Sequence, residues 1–252
     1  MIRLIVTICL ILGLGAEGSQ AFFPSPTTMA ERVDSRLALI ESMQVEVSFP
    51  EHPQWTIRVW KKDSAWRQEW VRQGQEATSV AAAGVGQERR LKAAYPDLQR
   101  FPRPIVSLWY DQPVQAWWQE WGIIPDKMDF AFVHTRPCLV LGGLSADSQA
   151  WIDHETSLPL KLVTGEGVSC VWRDYRNIGN HRLPHAALLS FSGGTELRVS
   201  LAWRGINTRL PQRLFERQAF YAHFPRSEAA MPELPADLHL LWKILPPAWI
   251  TQ

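Results

Sequence analysis

Between Asp129 and Arg213 the chain alternates apolar and polar residues in short runs separated by turn signals, and this rhythm limits the fold more than any other feature. The turns are marked at Gly142-Gly143, His154 to Ser157, Gly165 to Gly167, Asn177 to Asn180 and Ser192 to Gly194. Leu197, Val199, Leu201 and Trp203 alternate with Glu196, Arg198, Ser200 and Arg204; Leu158, Leu160 and Leu162 share one face, as do Leu183, Ala187, Leu189 and Phe191. One dry and one wet face predict an antiparallel sheet curled around a core. With no internal repeat of fixed period, an open barrel or a sandwich remains.

The same period of two runs through Val45, Val47 and Phe49 and through Ile57 and Val59, and Ala65 to Val71 places Trp66, Gln68 and Trp70 on one face. Ser79 to Gly86 reads as a turn or a short strand. Ahead of these strands, Thr28 to Glu31 has the form of a capping box, and Met29, Val33, Leu37 and Ile40 predict one amphipathic helix reaching Met43. The region 102–123 breaks the rhythm. Pro104 to Tyr110 suggests one helical stretch, and Asp111-Gln112-Pro113 suggests the start of another that carries Trp117, Trp118 and Trp121. An insertion with such large apolar side chains is a candidate lid. After Phe215, Pro225 to Pro235 reads as a linker and Asp237 to Leu245 as a short helix.

At the N-terminus, Arg3, the apolar run Leu4 to Leu14 and Ser19-Gln20-Ala21 form the three regions of a secretory signal peptide, with Phe22 the expected new N-terminus. The apolar run is shorter than the roughly 20 residues that span a bilayer. Cys9 lies inside it rather than after a small-residue box, so no lipid anchor is expected. About 230 residues then remain, which suits one large all-β domain or two small ones. The expected organisation is a signal peptide at 1–21, a folded domain at 22–216 and a C-terminal extension at 217–252.

A net charge of +1 with interspersed signs disfavours nucleic acid as a partner. No stable membrane span is expected after signal cleavage. There is no Gly-x-Ser-x-Gly elbow, phosphate-binding loop or dinucleotide fingerprint, and no cofactor or catalytic residue is assigned. His181 and His185 are four apart, but Pro184 argues against the helix a zinc pair needs. Asp153, Glu155, Glu166 and Asp174 fall at hairpin ends, where acids are usually solvated. In a simple meander Cys138 and Cys170 lie three strand spacings of about 4.8 Å apart, too far for a disulfide, so two buried thiols are expected. Tryptophan is in excess, thirteen in 252 residues, with Trp60, Trp66, Trp70, Trp109, Trp117, Trp118 and Trp121 clustered before the hairpins. About half suit an ordinary core. The rest suit an apolar cavity or a partner surface.

The segment Ala150-Trp151-Ile152-Asp153-His154-Glu155-Thr156-Ser157-Leu158-Pro159-Leu160-Lys161-Leu162 resembles the strand-turn-strand of LolA/LolB-like outer-membrane lipoprotein-sorting proteins. Val171 to Arg176, Leu183-Pro184 and Asn207 to Phe215 with Leu210-Pro211 follow in similar order and spacing. The resemblance is strongest over 129–216. It implies an incomplete, strongly curved antiparallel half-barrel with helices over its open side, holding a lipid or the acyl chains of a lipoprotein in the periplasm. In that family a basic residue after an early strand ties the lid to the barrel; Lys61-Lys62 occupies the comparable stretch here.

On this reading the wall of the cavity is formed by Val47, Ile57, Val59, Trp66, Trp70, Leu160, Leu162, Leu197, Val199 and Leu201, and the lid by Leu37, Ile40, Trp117 and Trp121. The expected function is a soluble exported carrier with no covalent chemistry, and its partner a lipid or acylated lipoprotein. An envelope module that senses stress by binding a protein partner, with 217–252 as its docking element, is the alternative, and an exported hydrolase is a more distant one.

Overall fold

The computed structural model describes residues 24–37, 39–74, 80–85, 88–92, 102–111, 113–224 and 233–244. The signal-peptide segment 1–21 and most of the 225–235 linker lie outside the described residues.

The helix that opens the fold, α1 (Pro26–Leu37), is capped by Ser25 rather than Thr28: the Ser25 hydroxyl accepts the Thr28 amide at 3.1 Å, and Pro26 takes the first helical position. The helix also ends before the expected Met43. Asn207 Oδ1 accepts the amides of Glu41 at 2.8 Å and Ser42 at 3.3 Å, and the chain from Ser42 onward pairs with strands on both sides. Sheet pairing therefore takes Met43, and leaves Ile40 in the connecting turn.

Twelve strands follow: β1 (Ser42–Ser48), β2 (Trp55–Lys62), β3 (Ala65–Arg72), β4 (Val80–Val85), β5 (Glu88–Lys92), β6 (Met128–Val133), β7 (Arg136–Leu141), β8 (Gln149–Asp153), β9 (Pro159–Val163), β10 (Ser169–Ile178), β11 (His181–Ser190) and β12 (Glu196–Ile206). They form one antiparallel sheet in the order β5-β4-β3-β2-β1-β12-β11-β10-β9-β8-β7-β6. Each strand pairs with its neighbour in sequence, except that β5 and β6 do not pair and β12 returns to lie beside β1. That single return leaves β5 and β6 as the two edges of an open, curved half-barrel. The long connection from β5 to β6 joins one edge to the other, so it crosses the open side. This topology is why the insertion covers the concave face.

The turns fall where glycine and the hairpin signals put them. Gly142, between β7 and β8, has φ 92° and leaves only 2.5 Å between a Cβ there and the Ser148 carbonyl oxygen, so no other residue fits.

The register carries one face of the sheet inward: Val45 opposite Val59, Val47 opposite Ile57, Ile57 opposite Trp70, Val199 opposite Ala187 and Leu197 opposite Leu189. Leu160 departs from the expected pattern. The pairing of β8 with β9 shifts between Trp151 and Ile152, so that Ile152 meets Pro159 and Leu160 is the extra residue of a bulge. Leu158 and Leu162 remain in the main core, whereas Leu160 packs with Cys138, Val140 and Trp151 in a second cluster on the outer face.

Outside the sheet are a 3-10 turn at Ile105–Leu108, α2 (Val114–Glu120), a second 3-10 turn at Gln212–Leu214, α3 (Arg217–His223) and α4 (Ala236–Ile244). Phe220, Phe224, Leu234, Leu238 and Leu241, all beyond 216, are buried in the same core as the strands. Helix α4 lies against the β1–β2 end: His52 Nε2 is 2.6 Å from Asp237 Oδ2, and the Trp242 ring meets Trp70 edge-on at 5.9 Å. Helix α3 was not expected from the sequence. Phe220 and Phe224 of this segment stack on the Arg67 guanidinium at 5.4 and 5.1 Å, while Arg67 bonds the buried Glu69 carboxylate. Arg67 and Glu69 alternate with Trp66, Gln68 and Trp70 along β3, so both faces of that strand are covered.

Candidate functional site

The candidate lid is assembled around one carboxylate. Asp34 on α1 accepts the Tyr110 hydroxyl at 2.7 Å and the Val114 amide at the start of α2 at 3.3 Å. It thereby supplies the capping acceptor for α2 that Asp111 was expected to provide, and binds α1 to the insertion as one unit. Within the insertion, Trp117 Nε1 donates to the Ser107 carbonyl at 2.7 Å.

Contacts among the described residues hold this unit to the sheet. Lys61 Nζ, at the end of β2, lies 2.6 Å from Asp111 Oδ1. Gln68, fully buried on the inner face of β3, donates to the Pro102 carbonyl. Trp109 Nε1 donates to the Tyr175 hydroxyl at 3.0 Å, and its ring meets Trp203 edge-on at 5.8 Å. The Tyr175 hydroxyl in turn donates to the Pro159 carbonyl, and burial pushes its ionisation far above the usual phenol range. Of the Lys61-Lys62 pair singled out in the sequence, Lys61 makes the tie to the lid.

Beside that tie a cavity of about 560 Å³ opens between the lid and the β2–β3 end of the sheet. Its inner surface is apolar where Met43, Trp66 and Trp117 meet, and ionic where Lys61 and Arg103 face Asp111 and Glu120. Arg103 is 3 % exposed and in ionic contact with Glu120. Burial pulls its guanidinium below the ordinary value, and the Asp111 charge offsets part of that. Arg103 escaped the sequence reading, although a charge set between Pro102 and Pro104 at the head of an apolar run was a signal for it.

Of the residues expected to form the wall and the lid, Trp66, Ile40 and Trp117 line this cavity. Val47, Ile57, Val59, Trp70, Leu162, Leu197, Val199 and Leu201 share the inner face, and Leu37 and Trp121 the helices over it, but all are buried in the closed core. Leu160 lies on the other face. The tryptophan excess has the same outcome: Trp66, Trp70, Trp109, Trp117, Trp118 and Trp121 are buried in that core. The concave face is thus filled by the protein's own insertion and helices. Several donors inside it, the indole N–H groups of Trp70, Trp118, Trp121 and Trp172, have no acceptor among the described residues.

The Trp151-Ile152-Asp153 segment is the end of β8, and the turn follows it at His154 to Thr156. Trp151 faces the outer cluster, with Lys161 Nζ 4.6 Å from its ring centre, and Ile152 faces the core. Asp153 is 2 % exposed rather than solvated: it accepts the Thr156 amide at 2.7 Å and hydroxyl at 2.6 Å and pairs with Arg136 at 2.7 Å. Cys138 and Cys170 are free and buried, in clusters on opposite faces of the sheet, and burial raises both thiols. Among the described residues, no three His, Cys, Asp or Glu side chains are grouped to hold a metal, and no helix is long and apolar enough to cross a membrane.

No protein-family model and no curated protein matches the chain. Solved structures that are similar to it include a LolA superfamily protein from Nitrosomonas europaea, with 14% identity, 78% of this chain and 99% of that chain covered, and a TM-score of 0.50. A DUF1329 family protein from Desulfovibrio piger follows, with 11% identity, coverage of 77% and 97%, and a TM-score of 0.45. At such identity the likeness is one of fold, and the LolA-like half-barrel that the 150–162 segment implied is the fold this chain adopts.

Proposed function

We propose that the chain is an exported carrier or binding protein for a lipid or an acylated protein, and that the acyl chain takes the place of the lid on the concave face. The observation that carries this reading is the cavity of about 560 Å³ beside the Lys61–Asp111 ion pair that ties the lid to the sheet. That volume lies within the range of about 300–1,000 Å³ usual for ligand sites. A chain that enters there meets Trp66 and Trp117 first, and reaches Val59 and Leu201 only as the lid withdraws.

The energetics suit a carrier that must also release its cargo. Burying a twelve-carbon chain contributes roughly 9 kcal/mol at about 0.8 kcal/mol per methylene. Part of that gain is offset by uncovering the apolar residues of the lid, and part by the loss of ligand freedom. Affinity therefore stays moderate.

Native mass spectrometry of the protein recovered from cell envelopes, together with titration by the apolar dye N-phenyl-1-naphthylamine, tests the proposal. A co-purifying lipid or acylated protein, and saturable dye binding displaced by a long-chain lipid, are the expected results. A ligand-free protein that does not bind the dye would overturn it. N-terminal sequencing of the same material tests export, with Phe22 as the expected first residue.

A further inference from the structure

The open sheet leaves two edge strands, and their chemistry differs. Strand β5 reads Glu88-Arg89-Arg90-Leu91-Lys92, the charged composition that keeps another strand from adding to an edge. Strand β6 reads Met128-Asp129-Phe130-Ala131-Phe132-Val133, and its one charged side chain, Asp129, already accepts the Leu144 amide at 2.7 Å. Five large hydrophobic side chains are exposed among the described residues: Leu39, Ile124, Phe130, Phe132 and Leu144. Two of them lie on β6, Leu144 is bonded to it, and Ile124 shortly precedes it in the chain, so all but Leu39 gather at this one edge.

The backbone of β6 is open in a definite pattern. Phe132 pairs with Pro137 of β7, which has no amide and gives its carbonyl to the His154 amide at 2.9 Å, on the β8 side. That pair shares no hydrogen bond, so the Phe132 amide and carbonyl point to the free edge, and by the alternation of an antiparallel ladder those of Phe130 do as well. The two rings stand on the inner face, that of the buried Leu139 opposite Phe130. They meet edge-on at 5.5 Å, with the His154 ring 6.1 Å from Phe130.

We propose that the β6 edge docks an extended segment of a partner polypeptide, which adds antiparallel to β6 and lays alternate uncharged apolar side chains over Phe130 and Phe132. An alternating row of amides and carbonyls is matched by another extended backbone. The β6 side chains on that face, Met128, Phe130 and Phe132, carry no charge, so the residues that cover them are apolar. Area separates this occupant from a second copy of the chain. Phe130 is 40% and Phe132 60% exposed, together the area of about one phenylalanine, roughly 200 Å². Two folded surfaces associate stably over roughly 800 Å² each. A single strand covers the smaller area and takes the rest of its affinity from main-chain hydrogen bonds. The assignment uses no residue of the cavity and stands apart from the acyl-binding reading.

The experiment is titration of the full folded chain with the peptide acetyl-KTVTFTVTK-amide, read by residue-resolved amide hydrogen exchange. In the free chain the Phe130 and Phe132 amides are expected to exchange quickly and that of Ala131, which faces β7, slowly. Saturating peptide should slow Phe130 and Phe132 by about tenfold or more. The two valines and the phenylalanine of the peptide stand opposite β6 in the hydrogen-bonded positions, so N-methylation of these three should weaken binding by about tenfold or more. N-methylation of its threonines, whose amides face solvent, should change binding by less than about twofold. Phe132→Lys, which places a charge on the edge, should abolish binding. No binding to the native chain, binding that leaves the Phe130 and Phe132 amides unprotected, or equal loss from the two methylation patterns would overturn the assignment. So would protection of both amides in the free chain: with a dimer mass by light scattering the occupant is a second copy, and with a monomer mass it is a segment of this same chain. Dye binding in the cavity is untouched by any of these outcomes.

Discussion

Replacing Lys61 with methionine keeps the apolar stem of the side chain and deletes the charge that reaches Asp111 at 2.6 Å. The two side chains are 20% and 31% exposed, between an open surface pair and a buried one. Exposed pairs are worth about 0.2–1 kcal/mol, and removing one partner of a buried pair costs about 3–5 kcal/mol. With Asp111 still reached by water, a loss of about 1–2 kcal/mol is the appropriate expectation. On the proposed reading the tie exists only while the lid is closed, so its loss should lower stability and favour the open form by the same amount. A ligand that binds only the open form should then bind roughly 5–30-fold more tightly.

Urea unfolding measures the first effect and N-phenyl-1-naphthylamine titration the second. Backbone hydrogen exchange over Ile105–Leu108 and α2 should accelerate in Lys61→Met, with strands β10 to β12 unchanged. The opposite signs of the two effects are what distinguish a lid from a core. A variant that loses stability and binds the dye no better, or less well, would show that the insertion is fixed packing and would refute the reasoning.

Leu160→Ala should cost about 2–4 kcal/mol in urea unfolding because it opens space in the outer cluster with Cys138 and Trp151. Its dye affinity should stay native, which a wall residue would not permit. Cys138 and Cys170 should resist a thiol reagent at pH 8 until the chain unfolds; rapid labelling of both in the native state would contradict their burial. Because folding raises both thiols, the native state holds protons that the unfolded chain gives up, so stability should fall as pH climbs past the unfolded thiol value near 9.0. Truncation before Leu234 removes three buried leucines, Leu234, Leu238 and Leu241, and should lower stability by about 4 kcal/mol or more. A truncated chain as stable as the native one would show instead that 234–252 is a detachable docking element.

Much of the sheet was legible because it is local. Side chains at i and i+2 share a face in any strand, so Leu197, Val199, Leu201 and Trp203 declare an inner face without knowledge of their neighbours. The glycine turns and the face of α1 carried by Met29, Val33 and Leu37 were readable for the same reason.

What depended on distant partners was not. Helix α1 stops at Leu37 because Asn207, at the far end of the sheet in sequence, takes the amides of Glu41 and Ser42. Leu160 leaves the inner face because it is the extra residue on β9, between Pro159 and Lys161, which pair with the adjacent Ile152 and Trp151 of β8. Arg103 gains its place in the cavity only when the β5–β6 connection is drawn across the open side by the return of β12 to β1. Sequence by itself determined a curved antiparallel sheet with one dry face, since alternation and turn chemistry are properties of adjacent residues. Tertiary structure decided that the dry face is closed by the chain's own tryptophans and where a cavity remains beside it, because those depend on which edges the chain joins.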